Sequence, residues 1–217
     1  MNLNTRISVA IAAAFVLVVG TLLVVNAAGS DDPPPPTAAA VDERLVRPDS
    51  HRLDVAKDNK VTFVEFLDFE CEACGAAYPA IEQLRKDYAG RVTFVVRYFP
   101  IPSHFNAERA ARAVEAAARQ GKFEQMYQLM YDTQREWAEQ QVPADDRFRG
   151  FAQDLGLNLT AYDKAYADPA TLDRIKKDVA DGEALGVSGT PTFFLNGKKL
   201  QPESIDDLIK SIDAELQ

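Results

Sequence analysis

The sequence predicts an α/β domain with a long helical insertion, preceded by an apolar N-terminal helix. Residues 61–69 form a largely apolar, β-branched and aromatic run without Gly or Pro, and Cys71, Cys74 and an Ala-rich segment follow it. This order is typical of a strand, a cysteine pair and a helix. Residues 106–181 are helical in composition, and Asn196-Gly197 then separates two short apolar runs, which is a strong signal for a β-hairpin.

The N-terminal segment, residues 1–28, predicts a membrane anchor. Residues 7–25 are apolar and uncharged, about the length that a helix needs to cross a bilayer. Arg6 precedes the run and acidic residues follow it, which predicts a cytoplasmic N-terminus and an extracytoplasmic domain. Small residues near Ala27 leave open the alternative of a cleaved signal peptide and a secreted protein. Both alternatives place the cysteines in an oxidising compartment.

Residues 29–44 read as a linker, because they contain four consecutive prolines, Pro33 to Pro36, and have no hydrophobic periodicity. Residues 45–217 form the predicted folded domain, in which a hydrophobic content of 47% for the whole chain supports a packed core. The formal net charge of -9 argues against nucleic acid as a partner, because binding to phosphates needs clustered Lys and Arg.

The remaining elements follow in order along the domain. Residues 45–55 are a weak strand candidate interrupted by a proline, and the strand from Val61 comes next. The helix after Cys71 carries apolar residues at helical spacing and ends at Ala89-Gly90. Residues 91–99 predict a second core strand. Within the insertion, placed at about 105–182, the helical segments begin near 106, 123, 145, 160 and 171, and residues 202–216 predict a closing amphipathic helix.

The cysteine pair carries the predicted chemistry. A cysteine at a helix start meets unpaired backbone N–H groups and the positive end of the helix dipole, which favour the reactive thiolate. We therefore predict that Cys71 is the nucleophile and that Cys74 is its resolving partner. A zinc site needs four ligands, and the chain has only two histidines besides this pair, His51 and His104, at the wrong spacing. A structural disulfide would close too small a loop to stabilise much. We predict neither a metal nor a cofactor.

Four coordinated features resemble the thioredoxin superfamily, and more closely its DsbA-like branch of secreted or membrane-anchored bacterial thiol-disulfide oxidoreductases. They are Glu65 six residues before Cys71, the C-x-x-C pair followed by Pro79 in the first helix, the long helical insertion, and Gly-Thr-Pro-Thr at 189–192. The resemblance covers about residues 45–217. It implies a thioredoxin fold, in which a central mixed sheet of four or five strands is flanked by helices.

The resemblance also implies roles for particular residues. It implies a cis peptide bond before Pro191 facing the cysteines, and a backbone pairing between Thr190 and the client chain. It implies that Glu65 exchanges a proton with Cys74, and the strand position of Glu65 predicts burial and a raised pKa. The alternatives are an ordinary turn proline at 191 and an exposed glutamate at 65.

The residues between the cysteines depart from the family pattern. Strongly oxidising members carry a proline and a histidine there, whereas this chain carries Glu72 and Ala73. The charge of Glu72 is expected to oppose the Cys71 thiolate, and a less stabilised thiolate makes a less oxidising disulfide. Asp68 and Glu70 are expected to be solvated acids that add to this opposing field. His104 is expected to serve local structure.

We therefore predict an enzyme that exchanges disulfides with secreted or cell-envelope proteins, most readily a DsbA-like oxidase. Its expected partners are client proteins with cysteine thiols or disulfides, and a membrane redox partner that recycles the cysteine pair. The alternatives are a thiol-disulfide reductase or isomerase, and a non-catalytic thioredoxin-like module that binds peptides as a chaperone. A chaperone would keep its function in cells after both cysteines are changed to serine, and an oxidoreductase would lose it.

Overall fold

The structure, a computed structural model, describes residues 42–217. The predicted anchor at 1–28 and nearly all of the predicted linker lie outside this part of the chain. Among the described residues, no helix combines the length and the apolar character needed to cross a membrane.

A five-stranded mixed sheet forms the centre of the domain, with the strand order β1-β3-β2-β4-β5. The central strand β2 pairs in parallel with β3 and antiparallel with β4, and the two outer pairs are also antiparallel. This arrangement confirms the predicted mixed sheet and the predicted number of strands. The strands are β1 (His51–Asp54), β2 (Thr62–Leu67), β3 (Thr93–Tyr98), β4 (Thr192–Leu195) and β5 (Lys198–Lys199).

Helices surround the sheet and fill the stretch between β3 and β4. One helix follows β2, five lie between β3 and β4, and one closes the chain. Their boundaries lie within a few residues of those predicted from composition and periodicity. They are α1 (Glu72–Asp87), α2 (Ala107–Ala118), α3 (Phe123–Asp132), α4 (Asp145–Asp154), α5 (Leu159–Ala167), α6 (Pro169–Ala184) and α7 (Ile205–Glu215), with a 3₁₀ turn at Gln134–Glu136.

Five consecutive residues of strand β2 are buried. Because successive side chains point to opposite sides of the sheet, β2 is covered on both faces. Phe63 packs in one cluster with apolar side chains of α1 and α7. Val64 and Phe66 pack in another cluster on the opposite face, where Val179 of α6 joins them. Glu65 shares the side of Phe63 by this alternation, which places its carboxyl on the face covered by α1.

The hairpin between β4 and β5 confirms the Asn-Gly signal. Asn196 and Gly197 both have positive φ, at 46° and 86°, as a type I′ turn requires. The Asn196 side chain also accepts a hydrogen bond from the Thr62 amide at 2.9 Å and donates one to Glu215 at 2.8 Å. The turn thereby connects β4 to the start of β2 and to the end of α7.

Candidate active site

The cysteine pair lies where β2 ends and α1 begins. Cys71 is the N-cap residue of α1, with extended backbone angles, and Cys74 lies one turn into the helix. Both are free thiols, of which Cys71 is half-buried and Cys74 is only 1% exposed. An attacking sulfur can therefore reach Cys71, whereas Cys74 is shielded behind it.

The two thiols differ strongly in acidity. The hydrogen bond from the Cys74 thiol, with smaller contributions from Thr190 and from the backbone amides of Cys74 and Ala73, lowers the pKa of Cys71 to about 5. Burial raises the pKa of Cys74 well above its ordinary value, and the hydrogen bond to Cys71 and the charge of Glu65 act in the same direction. The pair therefore combines an accessible thiol of lowered pKa with a buried thiol of raised pKa, and the roles of Cys71 as nucleophile and Cys74 as resolving partner stay predictions.

The segment before β4 faces Cys71 across the site. The Thr190-Pro191 peptide bond is cis, as the resemblance implied. The Cys71 sulfur lies 3.4 Å from the carbonyl oxygen of Thr190. Thr190 therefore supplies a backbone group in contact with the Cys71 sulfur, while its pairing with a client chain stays a prediction.

Glu65 is buried beneath the pair. Its side chain is on the α1 face of β2, and the residue is only 5% exposed. Burial raises the pKa of Glu65 to about 8, and the charges of Glu82 and Cys71 act in the same direction. The predicted burial and the predicted raised pKa are confirmed, while proton exchange with Cys74 stays a prediction.

Glu65→Gln is expected to stabilise the fold increasingly as the pH rises. The pKa of Glu65 rises from 4.5 to about 8 on folding, so between these values the folded chain keeps a proton that the unfolded chain has lost. The contribution of Glu65 to the free energy of unfolding is therefore fully present below pH 4.5. It falls as the pH rises towards 8, by about 1.4 kcal/mol per pH unit at most. Denaturant titrations of both proteins across this range should show the gap widening. A gap independent of pH would contradict a titrating Glu65.

Asp68 and Glu70 correct one expectation from the sequence. Both residues are 1% exposed and are not solvated acids. Asp68 accepts hydrogen bonds from the amides of Glu70 and Ile101 at 2.8 and 2.9 Å, and from Nδ1 of His104 at 2.6 Å. The Glu70 carboxylate accepts one from the Asn106 amide at 2.5 Å. Burial raises the pKa of both carboxyls, and these donors oppose that rise.

Gln134 is a site residue that the sequence analysis missed. Its side-chain amide donates to the carbonyl oxygens of Phe69 and Cys71, both at 2.8 Å, and so fixes the turn that carries the nucleophile. A Cβ atom at Gly75 would lie 1.9 Å from Oε1 of Gln134, so a larger residue at this position would displace the Gln134 side chain. A glycine in the first turn of a helix is less favourable than alanine by about 1 kcal/mol. Gly75 was therefore the signal in the sequence that another side chain packs against this turn.

Glu72 and Ala73 lie at the exposed start of α1. The Ala73 amide contributes to lowering the pKa of Cys71. The opposing effect of Glu72 stays a prediction. Among residues 42–217, no group of His, Cys, Asp and Glu side chains is arranged to hold a metal ion.

Glu72→Gln is expected to lower the pKa of Cys71 by about 0.5 and to raise the reduction potential of the pair, because it removes a negative charge next to the thiolate. The thiolate absorbance measured against pH reports the first quantity, and equilibration with glutathione reports the second. Asp87→Asn, at the exposed far end of α1, is the matched control and should change neither. If both variants behave alike, Glu72 does not tune the pair.

Comparison with known proteins gives a family and a fold. Residues 56–214 match the sequence pattern of a family described as Thioredoxin. The Na(+)/H(+) antiporter NhaA 3 of Salinispora tropica is 40% identical over 155 residues, which are 71% of this chain and 23% of that protein. The antiporter NhaA of Herminiimonas arsenicoxydans is 30% identical over 198 residues, 91% of this chain and 31% of that protein. The chain thus spans less than a third of the length of these relatives.

Solved structures of thiol-disulfide oxidoreductases share the fold. A thioredoxin-like oxidoreductase from Silicibacter pomeroyi is 25% identical with a TM-score of 0.66, covering 81% of this chain and 96% of that one. The thiol-disulfide exchange protein alpha-DsbA2 from Wolbachia pipientis is 20% identical with a TM-score of 0.66, covering 79% and 90%. BdbD from Bacillus subtilis is 20% identical with a TM-score of 0.67, covering 75% and 91%. The chain therefore belongs to the thioredoxin family, and its fold is that of the DsbA-like thiol-disulfide oxidoreductases.

Proposed function

We propose that this chain is an extracytoplasmic thiol-disulfide oxidoreductase that introduces disulfides into secreted or cell-envelope proteins, as a DsbA-like oxidase. The observation that carries the proposal is the contrast between the two thiols. Cys71 is accessible and its pKa is lowered to about 5, whereas Cys74 is buried and its pKa is raised. A purely structural pair would not need this contrast.

The reaction begins with the Cys71–Cys74 disulfide. A client thiolate attacks the Cys71 sulfur, forms a mixed disulfide and expels Cys74 as a thiolate. In this proposal Glu65, whose raised pKa keeps it protonated near neutral pH, then donates its proton to the Cys74 thiolate. A second client thiolate then attacks the client sulfur of the mixed disulfide and expels the Cys71 thiolate. The client loses two electrons to its new disulfide, and the pair gains them as a dithiol.

The acidity of Cys71 supports the oxidising direction. A thiol with a low pKa is a good leaving group, so the second step is fast, and a stabilised thiolate favours the reduced pair over its disulfide. Both effects make the disulfide a stronger oxidant. Turnover then requires reoxidation of the dithiol, which we assign to a membrane redox partner. The predicted anchor at residues 1–28 would keep the domain beside that partner.

Stoichiometric oxidation of a client tests the proposal. The oxidised full chain is mixed with a reduced, unfolded protein whose native state contains one disulfide, and free thiols are counted on both proteins after acid quenching. We expect one client disulfide for each Cys71–Cys74 dithiol that forms. A chain that instead keeps its disulfide, and reduces oxidised client when supplied with electrons, would be a reductase.

A further inference from the structure

His104 is linked to the nucleophile through Asp68, although it is 33 positions away from Cys71 in the sequence. It belongs to the loop between β3 and α2, and its side chain is 23% exposed. Nδ1 bonds to the Asp68 carboxylate at 2.6 Å, and the carbonyl oxygen of the same Asp68 accepts the Cys71 amide at 3.2 Å. A single buried residue therefore joins the imidazole to the backbone of Cys71.

The environment of His104 favours a positive charge on the ring. Burial alone would lower the pKa of His104, but the hydrogen bond to Asp68 and the charges of Asp68, Cys71 and Glu70 outweigh burial and raise it. Of the two ring nitrogens of His104, Nδ1 is the one that has a hydrogen-bond partner among residues 42–217. The ring is thus held at one nitrogen by Asp68, whose carboxylate also accepts the amides of Glu70 and Ile101.

The two residues between the cysteines, Glu72 and Ala73, provide no positive charge. The strongly oxidising members carry a histidine between their cysteines, and this chain carries an acid and an alanine there. We propose that His104, held by Asp68, is a positioning residue that supplies the positive charge beside the Cys71 thiolate in place of such a histidine. The inference deepens the proposed oxidase function and rests on it. As an imidazolium it stabilises the reduced pair and makes the disulfide more oxidising.

The other charged groups around His104 determine how the electrostatic field at Cys71 changes when the imidazole is removed. Asp68 and Glu70 face it from the turn before Cys71, and the Tyr131 hydroxyl of α3 donates to the Asp68 carbonyl oxygen at 3.4 Å. A cavity of about 750 Å³ that His104 lines is also lined by Glu108, Arg109, Arg112, Asp145, Lys176 and Glu183. Two of these cations are already in ion pairs within this lining, Arg109 with Asp145 and Arg112 with Glu108. Without His104, Asp68 would keep only its backbone N–H donors, from Glu70 and Ile101, and would lose its one charged partner.

Titration of the full wild-type chain tests the coupling directly. A positive His104 that stabilises the thiolate must, by linkage, hold its own proton more tightly when the thiolate is present. The imidazole signal followed by NMR should therefore titrate at higher pH in the reduced chain than in the disulfide form. The chain has two histidines, and His51→Gln assigns the signals. An identical His104 titration in both redox forms would overturn the proposal.

A variant provides the second measurement. His104→Gln should reduce the ionisation constant of Cys71 by about twofold, read from thiolate absorbance, and should shift the equilibrium with glutathione towards the disulfide by a similar factor. His51→Gln is the matched control, because His51 stacks on Phe123 at 3.9 Å and bonds to Glu115 instead of the site. An unchanged Cys71 ionisation in a folded His104→Gln would also contradict the proposal.

These measurements separate the inference from the proposed function. The histidine titration and the thiolate absorbance need neither client nor redox partner, so they report the coupling even if the chain turns out to act as a reductase. Failure to oxidise a reduced client, with the coupling intact, would remove the oxidase function and leave His104 as the partner of the thiolate. If the chain oxidises clients but the His104 titration is the same in both redox forms, the oxidase function stands and the role of His104 is refuted.

Discussion

Cys74→Ala is expected to convert the chain from a catalyst of disulfide exchange into one that stays covalently joined to its clients. Disulfide exchange is reversible, and in the reverse of client oxidation the Cys71 thiolate attacks a client disulfide, forms a mixed disulfide and expels one client thiolate. In the wild type Cys74 then attacks the Cys71 sulfur and releases the client, and the variant has no thiol that can do so. Because Cys74 is buried and small, alanine replaces it with little change in packing. Turnover should be lost while mixed disulfides accumulate.

The trapped species are measured on non-reducing gels after acid quenching of cells that express either variant. Cys71→Ser is the matched control, because the remaining Cys74 is buried with a raised pKa and should not react. We expect adducts that vanish on reduction with Cys74→Ala and none with Cys71→Ser. Equal adducts from both variants would refute the assignment of Cys71 as nucleophile, and full activity in the absence of both cysteines would favour a peptide-binding chaperone.

Arg97→Ala is expected to have the largest effect on stability outside the site. Arg97, on β3, is fully buried and pairs with Asp178 at 2.8 Å and Asp181 at 2.6 Å, both on α6. It also donates to the Leu45 carbonyl oxygen at 2.8 Å, which ties the start of the domain to the sheet. Removing the guanidinium leaves two nearly buried carboxylates without their central partner. Breaking a buried ion pair costs about 3–5 kcal/mol, and we expect the lower end of this range because Arg47 and Arg174 still pair with the two carboxylates.

The free energy of unfolding from denaturant titration checks this prediction. Arg149→Ala is the matched control, since Arg149 pairs with Asp163 on the surface, where side chains are 46% and 47% exposed. An exposed pair contributes at most about 1 kcal/mol, so the control should change little. Equal losses for the two variants would show that the buried network does not hold α6 against the sheet.

Local patterns predicted the parts of the site that lie on regular elements. The position of Glu65 in β2 predicted its burial, and the position of Cys71 at a helix start predicted its lowered pKa. Asn196-Gly197 predicted a hairpin because both residues tolerate positive φ. The cis bond before Pro191 came from the family resemblance, since nothing in the local sequence distinguishes it from a turn proline.

The parts that the sequence did not predict depend on contacts between distant segments. Asp68 and Glu70 follow β2 in an irregular turn, where no periodicity indicates burial. Their hydrogen-bond donors, such as Ile101 and Asn106, come from a loop more than 30 residues away. Gln134 reaches the Cys71 carbonyl oxygen from the helical insertion across 63 positions. Such pairings become visible only when tertiary packing brings the segments together.

The reduction potential of the Cys71–Cys74 pair tests the central claim most directly. The full chain is equilibrated with glutathione buffers of known ratio, and the reduced and oxidised forms are separated after quenching. The lowered pKa of Cys71 indicates a stabilised thiolate. We therefore predict a reduction potential near or above about -150 mV, in the direction of DsbA. A value near the roughly -270 mV of thioredoxin would contradict the account and make the chain a reductase.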